Sequence, residues 1–191
     1  YKGQVVSTPS FELELQEELP LDVKDREDEI SIASGSLTLV ITKKNWSMTY
    51  YRNGEMITRS AGRDLALMKT DFRGFAYNET DAEETYMRQM LSLSVGELVY
   101  GTGERFTPFV KNGQSIDIWN ADGGTSTEQS YKNIPFFITN KGYGVLVNHP
   151  EKVSIEVATE MVTRTEFSVE GGYLDYFLIN GPSMKEVLTR Y

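Results

Sequence analysis

The sequence predicts an all-β fold, an antiparallel β-sandwich that ends in one short helix. Short segments alternate apolar and polar residues with a period of two, which is typical of strands with one buried face. Turn signals separate these segments about every ten residues, as in sandwich folds. A helical pattern occurs only at the C-terminal end. The 191 residues, 39% of them hydrophobic, are enough for one sizeable core.

The first half of the chain contains alternating segments that predict successive strands. Asn53 and Gly54 predict a two-residue hairpin turn, because a type I′ turn needs a positive φ at both central residues. A second turn is predicted at 95–96. The predicted strands cover residues 11–15, 30–32, 37–41, 46–50, Glu55–Ser60, 87–93 and 97–100.

The second half resumes the pattern after a long excursion over residues 107–131. A hairpin-like unit is predicted around a turn at 140–142, and the predicted strands cover residues 135–139, 144–148, 153–157, 167–169 and 173–179. Apolar residues then follow helical spacing at Met184, Val187, Leu188 and Tyr191.

The predicted helix divides the chain into two parts. Pro182 suits its first turn, and no C-cap signal follows Tyr191. We therefore expect a sandwich domain over residues 1–181, and a helix or linker over 182–191 that leads toward a further domain.

Composition excludes several function classes. The net charge is −9 and no stripe of basic residues is present, which argues against binding to nucleic-acid phosphates. No run of about 18 apolar residues predicts a membrane span. The chain has no cysteine, which excludes disulfides and thiolate chemistry. His149 is the single histidine and no Gly-x-Ser-x-Gly motif accompanies it, which argues against a serine–histidine–acid triad. We expect no nucleic-acid partner, no membrane partner, no cofactor and no metal, and we interpret the acidic run at 12–29 as a solvated face.

The segment 97–137 combines glycines, aromatics and paired acids, and we expect its side chains to be displayed. Its Gly-Thr-Gly begins like a dinucleotide fingerprint, but Phe106 stands where the third glycine should be. We instead predict a sharp turn after a strand that ends at Tyr100. Glu104 and Arg105 are then expected to make local ion pairs or backbone hydrogen bonds.

A glycine-terminated stretch within this segment resembles a calcium loop. Two of its ligand positions hold Ile118 and Gln129, so the EF-hand interpretation fails. An aromatic ring beside amide and carboxylate groups suits a sugar, since the ring covers the apolar face of a pyranose. The alternative is a buried tryptophan with turn-forming neighbours. The candidate residues are Trp119, Asn120 and Asp122.

Paired carboxylates are a further candidate for acid–base hydrolysis within the chain. The sequence places no two of them at the separation that this chemistry requires. The carboxylates considered are Glu104, Asp117, Asp122 and Glu128.

Four stretches carry a family likeness: ELVYGTGERF at 97–106, WNADGGTSTEQSYKNIPFF at 119–137, GYGVLVNHP at 142–150, and residues 167–191. They closely resemble the N-terminal β-sandwich domain of glycoside hydrolase family 31, and within it the bacterial α-xylosidase branch. The likeness is specific from about residue 97 onward. Before that point it depends on strand order and the hairpin.

The resemblance implies a galactose-mutarotase-like fold that precedes a (β/α)8 catalytic barrel. In this family the aspartate nucleophile and the aspartate acid/base both lie in the barrel, so no catalytic residue is expected in this chain. The implied enzyme is a retaining α-glycosidase acting on terminal α-xylosyl or α-glucosyl residues of oligosaccharides. Its implied partners are the oligosaccharide and its own barrel. A homo-oligomer stays open, and the implied location is the bacterial cytoplasm.

The resemblance also implies a role for the loop that contains Asp122. In the family this aspartate hydrogen-bonds the sugar on the leaving-group side of the scissile bond. Thr125 lies on the same loop and is included by the same resemblance. Ala121 stands where the branch often has arginine, so this chain lacks the longer side chain and its contacts. Two alternatives remain: a stand-alone carbohydrate-binding module that uses Trp119 and neighbouring aromatics, and a purely structural domain.

Overall fold

Antiparallel strands dominate the computed structural model of the chain, which describes residues 13, 19–70, 84–121 and 128–191. Within these ranges the strands form three sheets, and the single helix lies at the C-terminal end. The predicted all-β sandwich is thus confirmed. The elements are β1 (Asp22–Asp25), β2 (Glu29–Ser34), β3 (Leu37–Thr42), β4 (Ser47–Arg52), β5 (Glu55–Ser60), β6 (Leu65–Thr70), β7 (Glu84–Ser92), β8 (Val99–Glu104), β9 (Gln114–Ile118), β10 (Lys132–Thr139), β11 (Tyr143–Val147), β12 (Val153–Val157), β13 (Arg164–Glu170), β14 (Tyr176–Asn180) and α1 (Met184–Arg190).

The first sheet is a meander in the order β1-β2-β3-β4-β5. Its hairpin turn confirms the sequence prediction, because Asn53 and Gly54 have φ of 51° and 83°. Trp46 was predicted to begin the fourth strand, and this is wrong. It lies in the turn after β3 with φ of 53°, since closing that turn requires a left-handed residue. The strand predicted at 11–15 lies outside the described residues except for Leu13, which is in no strand.

The other two sheets form the sandwich proper, in the orders β14-β11-β10-β8 and β6-β7-β13-β12-β9. Alternate residues of β12 face the core, so Val153, Ile155 and Val157 are fully buried. Ser154 and Glu156, which lie between them, point outward and are partly exposed. This period of two is what the sequence predicted for the segment.

Aromatic residues from both layers meet in the core. The ring of Phe137 on β10 lies 6.4 Å from that of Phe167 on β13, and both side chains are fully buried. Each such side chain contributes about 1.5–3 kcal/mol of burial free energy. The first sheet adds its own residues to the same core, among them Met48, Tyr50 and Ile57.

The Gly-Thr-Gly segment does not turn away after Tyr100 as predicted. Strand β8 continues through it to Glu104 and stays paired with β10. Positive φ values of 109°, 71° and 90° at Gly101, Thr102 and Gly103 bend the strand without ending it.

The consequence is a bulge in the register between the two strands. Gly103 pairs with Asn133 and Gly101 pairs with Phe137, so one residue of β8 lies opposite three residues of β10. The extra length of β10 brings Asn133 to the end of the sheet beside the excursion that follows β9. The bulge thus determines which side chain of β10 meets that excursion.

Helix α1 begins at the N-cap Ser183, whose side chain accepts from the Glu186 N–H. Pro182 precedes the cap and lies two positions before the first helical residue, Met184, so the prediction that it lies in the first turn is wrong. Val187 is fully buried on the outer face of the β14-β11-β10-β8 sheet, and the Tyr191 ring stacks on Phe136 at 4.1 Å. The boundary at 181/182 stays a prediction.

The surface agrees with the charge pattern where it is described. All of β1 is exposed, and Lys24 pairs with Asp22 at 2.7 Å. Among the described residues, no helix has both the length and the apolar character that crossing a membrane requires.

Candidate functional site

The sequence predicts one long substrate-facing loop over residues 107–131, and the prediction of a single loop is wrong. Strand β9 lies within this range and pairs with β12 at the edge of the third sheet. Ile116 and Ile118 are buried, whereas Ser115 and Asp117 are exposed. The alternation was present in the sequence, but the strand is short and follows a glycine-rich segment. The part of the excursion that follows this strand therefore begins at Trp119.

Two of the predicted site residues follow β9 directly. Trp119 is 58% exposed, so the alternative of a buried tryptophan is wrong. Asn120 is also exposed. The other two, Asp122 and Thr125, lie outside the described residues. Whether any of the four binds a sugar stays a prediction.

The two ends of the loop meet at Asn120 and Ser130. These residues form an isolated parallel bridge, and the Ala121 N–H donates to the Ser130 carbonyl at 3.0 Å. The Asn120 Oδ1 accepts from the backbone N–H of Asn133 at 3.0 Å. This oxygen therefore anchors the loop to β10, while the Asn120 side chain as a whole stays exposed.

Asn133 is a functional candidate that the sequence analysis missed. Its Nδ2 donates to the carbonyls of Trp119 at 2.9 Å and Ser130 at 2.7 Å, and it lies 3.1 Å from the Asn120 Oδ1. One amide group thus ties the outgoing and returning ends of the loop to β10. No local sequence signal marks this role, because its partners are set by the register of the bulge.

Arg105 completes the loop base. Its Nε donates to the Thr102 carbonyl at 3.2 Å and its Nη1 to the Glu128 carbonyl at 2.9 Å. Its Nη2 donates to the Asp117 carbonyl at 2.5 Å and also to the Asn133 Oδ1. The predicted backbone hydrogen bonds of Arg105 are therefore confirmed. Burial lowers the pKa of Arg105, and the nearby carboxylates of Asp117 and Glu128 oppose that effect.

Lys111 lies on the segment that leads to β9, and it is 4% exposed. Its Nζ donates to the Thr107 hydroxyl at 3.1 Å and to the Pro108 carbonyl at 2.8 Å. Burial lowers the pKa of this amine, and repulsion from Arg105 lowers it further. Neutral oxygens thus hold both cations in place.

A surface cleft of about 280 Å³ opens beside the start of the loop. This volume is close to the lower end of the range for small-molecule sites. The cleft combines an exposed aromatic ring with amide and carboxylate groups, which are the protein groups that commonly bind sugars. Its lining includes Trp119, Asn120, Asn133, Pro135, His149 and Glu151.

His149 is held in one tautomer at the wall of this cleft. Its Nε2 accepts from the Asp175 N–H at 2.9 Å, so the neutral ring carries its proton on Nδ1. That nitrogen lies 3.1 Å from Glu151 Oε2, to which it donates. Because both ring nitrogens are engaged, His149 orients Glu151 and does not activate a nucleophile.

The carboxylates considered for hydrolysis are placed as surface groups where they are described. Glu104 pairs with Lys132 at 2.8 Å, so it does form an ion pair, but its partner lies 28 residues away on β10 and is not local in the chain. Asp117 pairs with Lys152 at 2.6 Å. Glu128 is exposed, and Asp122 lies outside the described residues. Across the described ranges, no group of three or more histidine, aspartate or glutamate side chains is arranged to hold a metal ion.

Comparison with protein families gives a match over residues 1–156. The matching family is described as the glycosyl hydrolase 31 N-terminal galactose mutarotase-like domain. The match includes the first sheet, β8, the loop base and the cleft.

Two curated relatives are α-xylosidases. The α-xylosidase XylQ of Lactiplantibacillus pentosus is 43% identical over 185 residues, which covers 96% of this chain and 23% of the relative. An α-xylosidase of Emericella nidulans is 61% identical over 106 residues, covering 56% of this chain and 14% of the relative. The chain thus spans less than a quarter of the length of either protein.

Solved structures share the fold. A GH31 dextranase of Flavobacterium johnsoniae complexed with glucose superposes with a TM-score of 0.74 at 20% identity, covering 90% of this chain and 20% of that one. A GH31 α-xylosidase from a soil metagenome complexed with xylose gives a TM-score of 0.63 at 17% identity, covering 93% of this chain and 27% of that one.

Proposed function

Because the chain belongs to the family of glycosyl hydrolase 31 N-terminal galactose mutarotase-like domains, we propose that it is the noncatalytic N-terminal domain of a retaining α-glycosidase. The observation that carries this proposal is the 43% identity to an α-xylosidase over 96% of the chain. The chain spans 23% of that relative, which leaves length for a separate catalytic barrel.

In this proposal the chain supplies no nucleophile and no acid/base. A retaining glycosidase needs two carboxyl groups about 5–5.5 Å apart on either side of the scissile bond. The described carboxylates near the loop support the assignment to another domain, because Glu104 and Asp117 are engaged by lysines at the surface. The barrel is then the chain's main partner, and we expect the chain alone to be inert toward α-xylosides.

The proposed contribution of the chain is a loop on the leaving-group side of the substrate. Asp122 accepts hydrogen bonds from the leaving sugar, while Trp119 and Asn120 lie at the start of the same loop. Thr125 is a further contact on that loop. The exposure of Trp119 and the polar cleft beside it support this assignment. Hydrogen bonds to a charged group contribute about 1.5–3 kcal/mol, which is about tenfold or more in binding.

The proposed substrates are oligosaccharides with terminal α-xylosyl or α-glucosyl residues, and the α-xylosidase relatives favour xylosyl. The choice between the two belongs to the part of the pocket that accepts or rejects a hydroxymethyl group, which this proposal places in the barrel. A bacterial cytoplasmic location is part of the same proposal, and fractionation of the source cells tests it.

Substitution of Asp122 tests the leaving-group assignment in the full-length enzyme. For Asp122→Ala we expect kcat/KM to fall about tenfold or more for an α-xylosyl disaccharide, because the leaving sugar loses its charged acceptor. An aryl α-xyloside lacks those hydroxyls, so its kcat/KM should change about twofold at most. Asp22→Asn, which changes an exposed carboxylate on β1, serves as the control. Equal losses on both substrates would contradict the assignment.

The exposed Trp119 also favours a second candidate, a stand-alone carbohydrate-binding module. Calorimetry of the 191-residue chain with xylo- and gluco-oligosaccharides separates the two. A module binds them through Trp119, and Trp119→Ala abolishes the heat of binding. Half of a pocket gives no measurable binding, because the remaining contacts come from the barrel.

A further inference from the structure

We propose that Arg105 is a positioning residue for the substrate-facing loop. Together with Asn133 it fixes residues 119–121 and 128–130, which are the two ends of the loop that carries Asp122 in the proposed function. This inference rests on the proposed function of the loop. It adds a residue that does not touch substrate and lies outside the candidate binding set.

The first argument is the set of segments that Arg105 joins. Its acceptors are the carbonyls of Thr102 on β8, Asp117 on β9 and Glu128 on the returning end of the loop. They lie 3 to 23 residues from Arg105 in the chain. One side chain therefore fixes both ends of the loop relative to the bulged strand from which it projects.

The second argument is the fork of the guanidinium group. Arginine presents its N–H donors in a fixed plane on three nitrogens, whereas lysine carries its three N–H donors on a single nitrogen at the end of a flexible stem. Here Nε, Nη1 and Nη2 are all used, and they point in different directions to acceptors on different segments. Lysine keeps the charge at this position but cannot reach these acceptors together.

The third argument is the use of Asn133 as the connecting group. Its Oδ1 accepts from Arg105, while its Nδ2 donates to the Trp119 carbonyl on one end of the loop and the Ser130 carbonyl on the other. Arg105 therefore holds the oxygen end of this amide, while the two loop ends hold its nitrogen. A change at Arg105 removes the attachment at the oxygen end and so weakens the anchor of both loop ends.

The fourth argument is the kind of acceptor. Every hydrogen bond of Arg105 within the described residues goes to a neutral carbonyl or amide oxygen. A half-buried cation is costly to desolvate, and a direct ion pair would offset that cost more fully. Arg105 therefore orients the groups that it binds and does not serve to neutralise a carboxylate.

The test uses Arg105→Lys in the full-length enzyme, with Lys132→Gln as the control. Lys132 is the neighbour of Asn133, and its side chain pairs with Glu104 at the surface. We expect Arg105→Lys to lower kcat/KM for the disaccharide about tenfold while the aryl α-xyloside changes about twofold at most. Lys132→Gln should leave both unchanged.

A double-mutant cycle with Asp122→Ala tests whether Arg105 acts through the loop. If it does, adding Arg105→Lys to Asp122→Ala lowers the disaccharide kcat/KM little further, because the contact is already lost. Multiplication of the two losses would overturn the inference. If Arg105→Lys does not fold, Asn133→Asp gives the same test, since it keeps the acceptor for Arg105 but removes the amide donors.

Hydrogen exchange at the Ala121 amide gives a readout that does not depend on catalysis. This N–H donates to Ser130 across the loop base, so we expect exchange at least about tenfold faster in Arg105→Lys than in the unmodified protein. Unchanged exchange would overturn the positioning role. Faster exchange together with equal losses for Asp122→Ala on both substrates would keep the positioning role and reject the proposed function. A selective loss for Asp122→Ala with no effect of Arg105→Lys would do the reverse.

Discussion

The strand pairs β12–β13 and β8–β10 belong to the same sandwich, but they are held in different ways. The register of β12–β13 is continuous, and its inward residues are fully buried and, apart from Thr165, apolar. The register of β8–β10 is interrupted by a bulge, and its end is held by a polar network around Arg105. Both pairs contribute buried residues to the core, but only the polar end of the irregular pair also sets the geometry of the loop.

The largest expected effect comes from the regular pair. Phe167 is fully buried and packs against both Phe137 and Tyr176. We expect Phe167→Ala to lower the free energy of unfolding by about 3–5 kcal/mol through lost burial and a cavity. Urea denaturation measures this change, with Ser168→Ala on the outward face as the control. A loss below about 1 kcal/mol would mean that the regular pair contributes little to stability.

A smaller effect is expected in the irregular pair from Gly103→Ala. A Cβ at Gly103 would lie 2.1 Å from the Lys132 carbonyl oxygen, in addition to the cost of φ at 90°. Gly171 has a similar φ of 98° but no atom within 4 Å of the same position. We expect about 2–3 kcal/mol for Gly103→Ala and about 1 kcal/mol for Gly171→Ala.

The difference in unfolding free energy between these two variants measures the cost of the close approach of β8 and β10 separately from the cost of a positive φ. Thermal unfolding of both gives that difference directly. Gly103→Ala should also reduce disaccharide kcat/KM more than that of the aryl α-xyloside, because the loop base moves. Equal destabilisation by the two variants would show that the close approach of these strands contributes nothing.

The smallest effect is a pH dependence on the outer face of the regular pair. Burial raises the pKa of Glu166 from 4.5 to about 7, and Arg88 at 4.0 Å opposes this. The folded protein then binds more protons than the unfolded chain between about pH 4.5 and 7, so stability falls as pH rises through that window. We expect Glu166→Gln to remove about 1 kcal/mol of this decline, allowing for solvent screening. Denaturant midpoints at pH 4.5 and 7.5 measure it, and parallel profiles for the two proteins would contradict it.

The same contrast explains which parts of the fold could be predicted from the sequence. Residues 153–157 alternate strictly between apolar and polar side chains, and their strand is predicted with the observed bounds. The Asn-Gly pair predicts its hairpin because both residues readily adopt the positive φ that the turn needs. The sequence predicts the end of strand β8 too early, because two glycines within three residues usually indicate a turn. Only the pairing with β10 shows that the strand continues through them. The irregularity depends on β10, about thirty residues away, and local pattern carries no such information.

The candidate site was predictable only in part for a related reason. Trp119 and Asn120 stood out by residue type, and their exposure agrees with a displayed loop. Arg105 was expected to make backbone hydrogen bonds, but its distant acceptors were not foreseen. Asn133 was missed, because an asparagine gains such a role only when folding brings both ends of the loop, at residues 119–120 and at Ser130, around its amide.

The tautomer of His149 gives the molecule a built-in spectroscopic probe. The chain contains one imidazole, so its ring nitrogens give a single pair of resonances that need no assignment by mutation. The Nδ1 signal reports the hydrogen bond to Glu151, and the Nε2 signal reports the one from the Asp175 amide. A sugar or a neighbouring domain that enters the cleft and recruits Glu151 would shift the first signal and leave the second in place. Occupancy of the cleft can thus be followed in the unmodified protein.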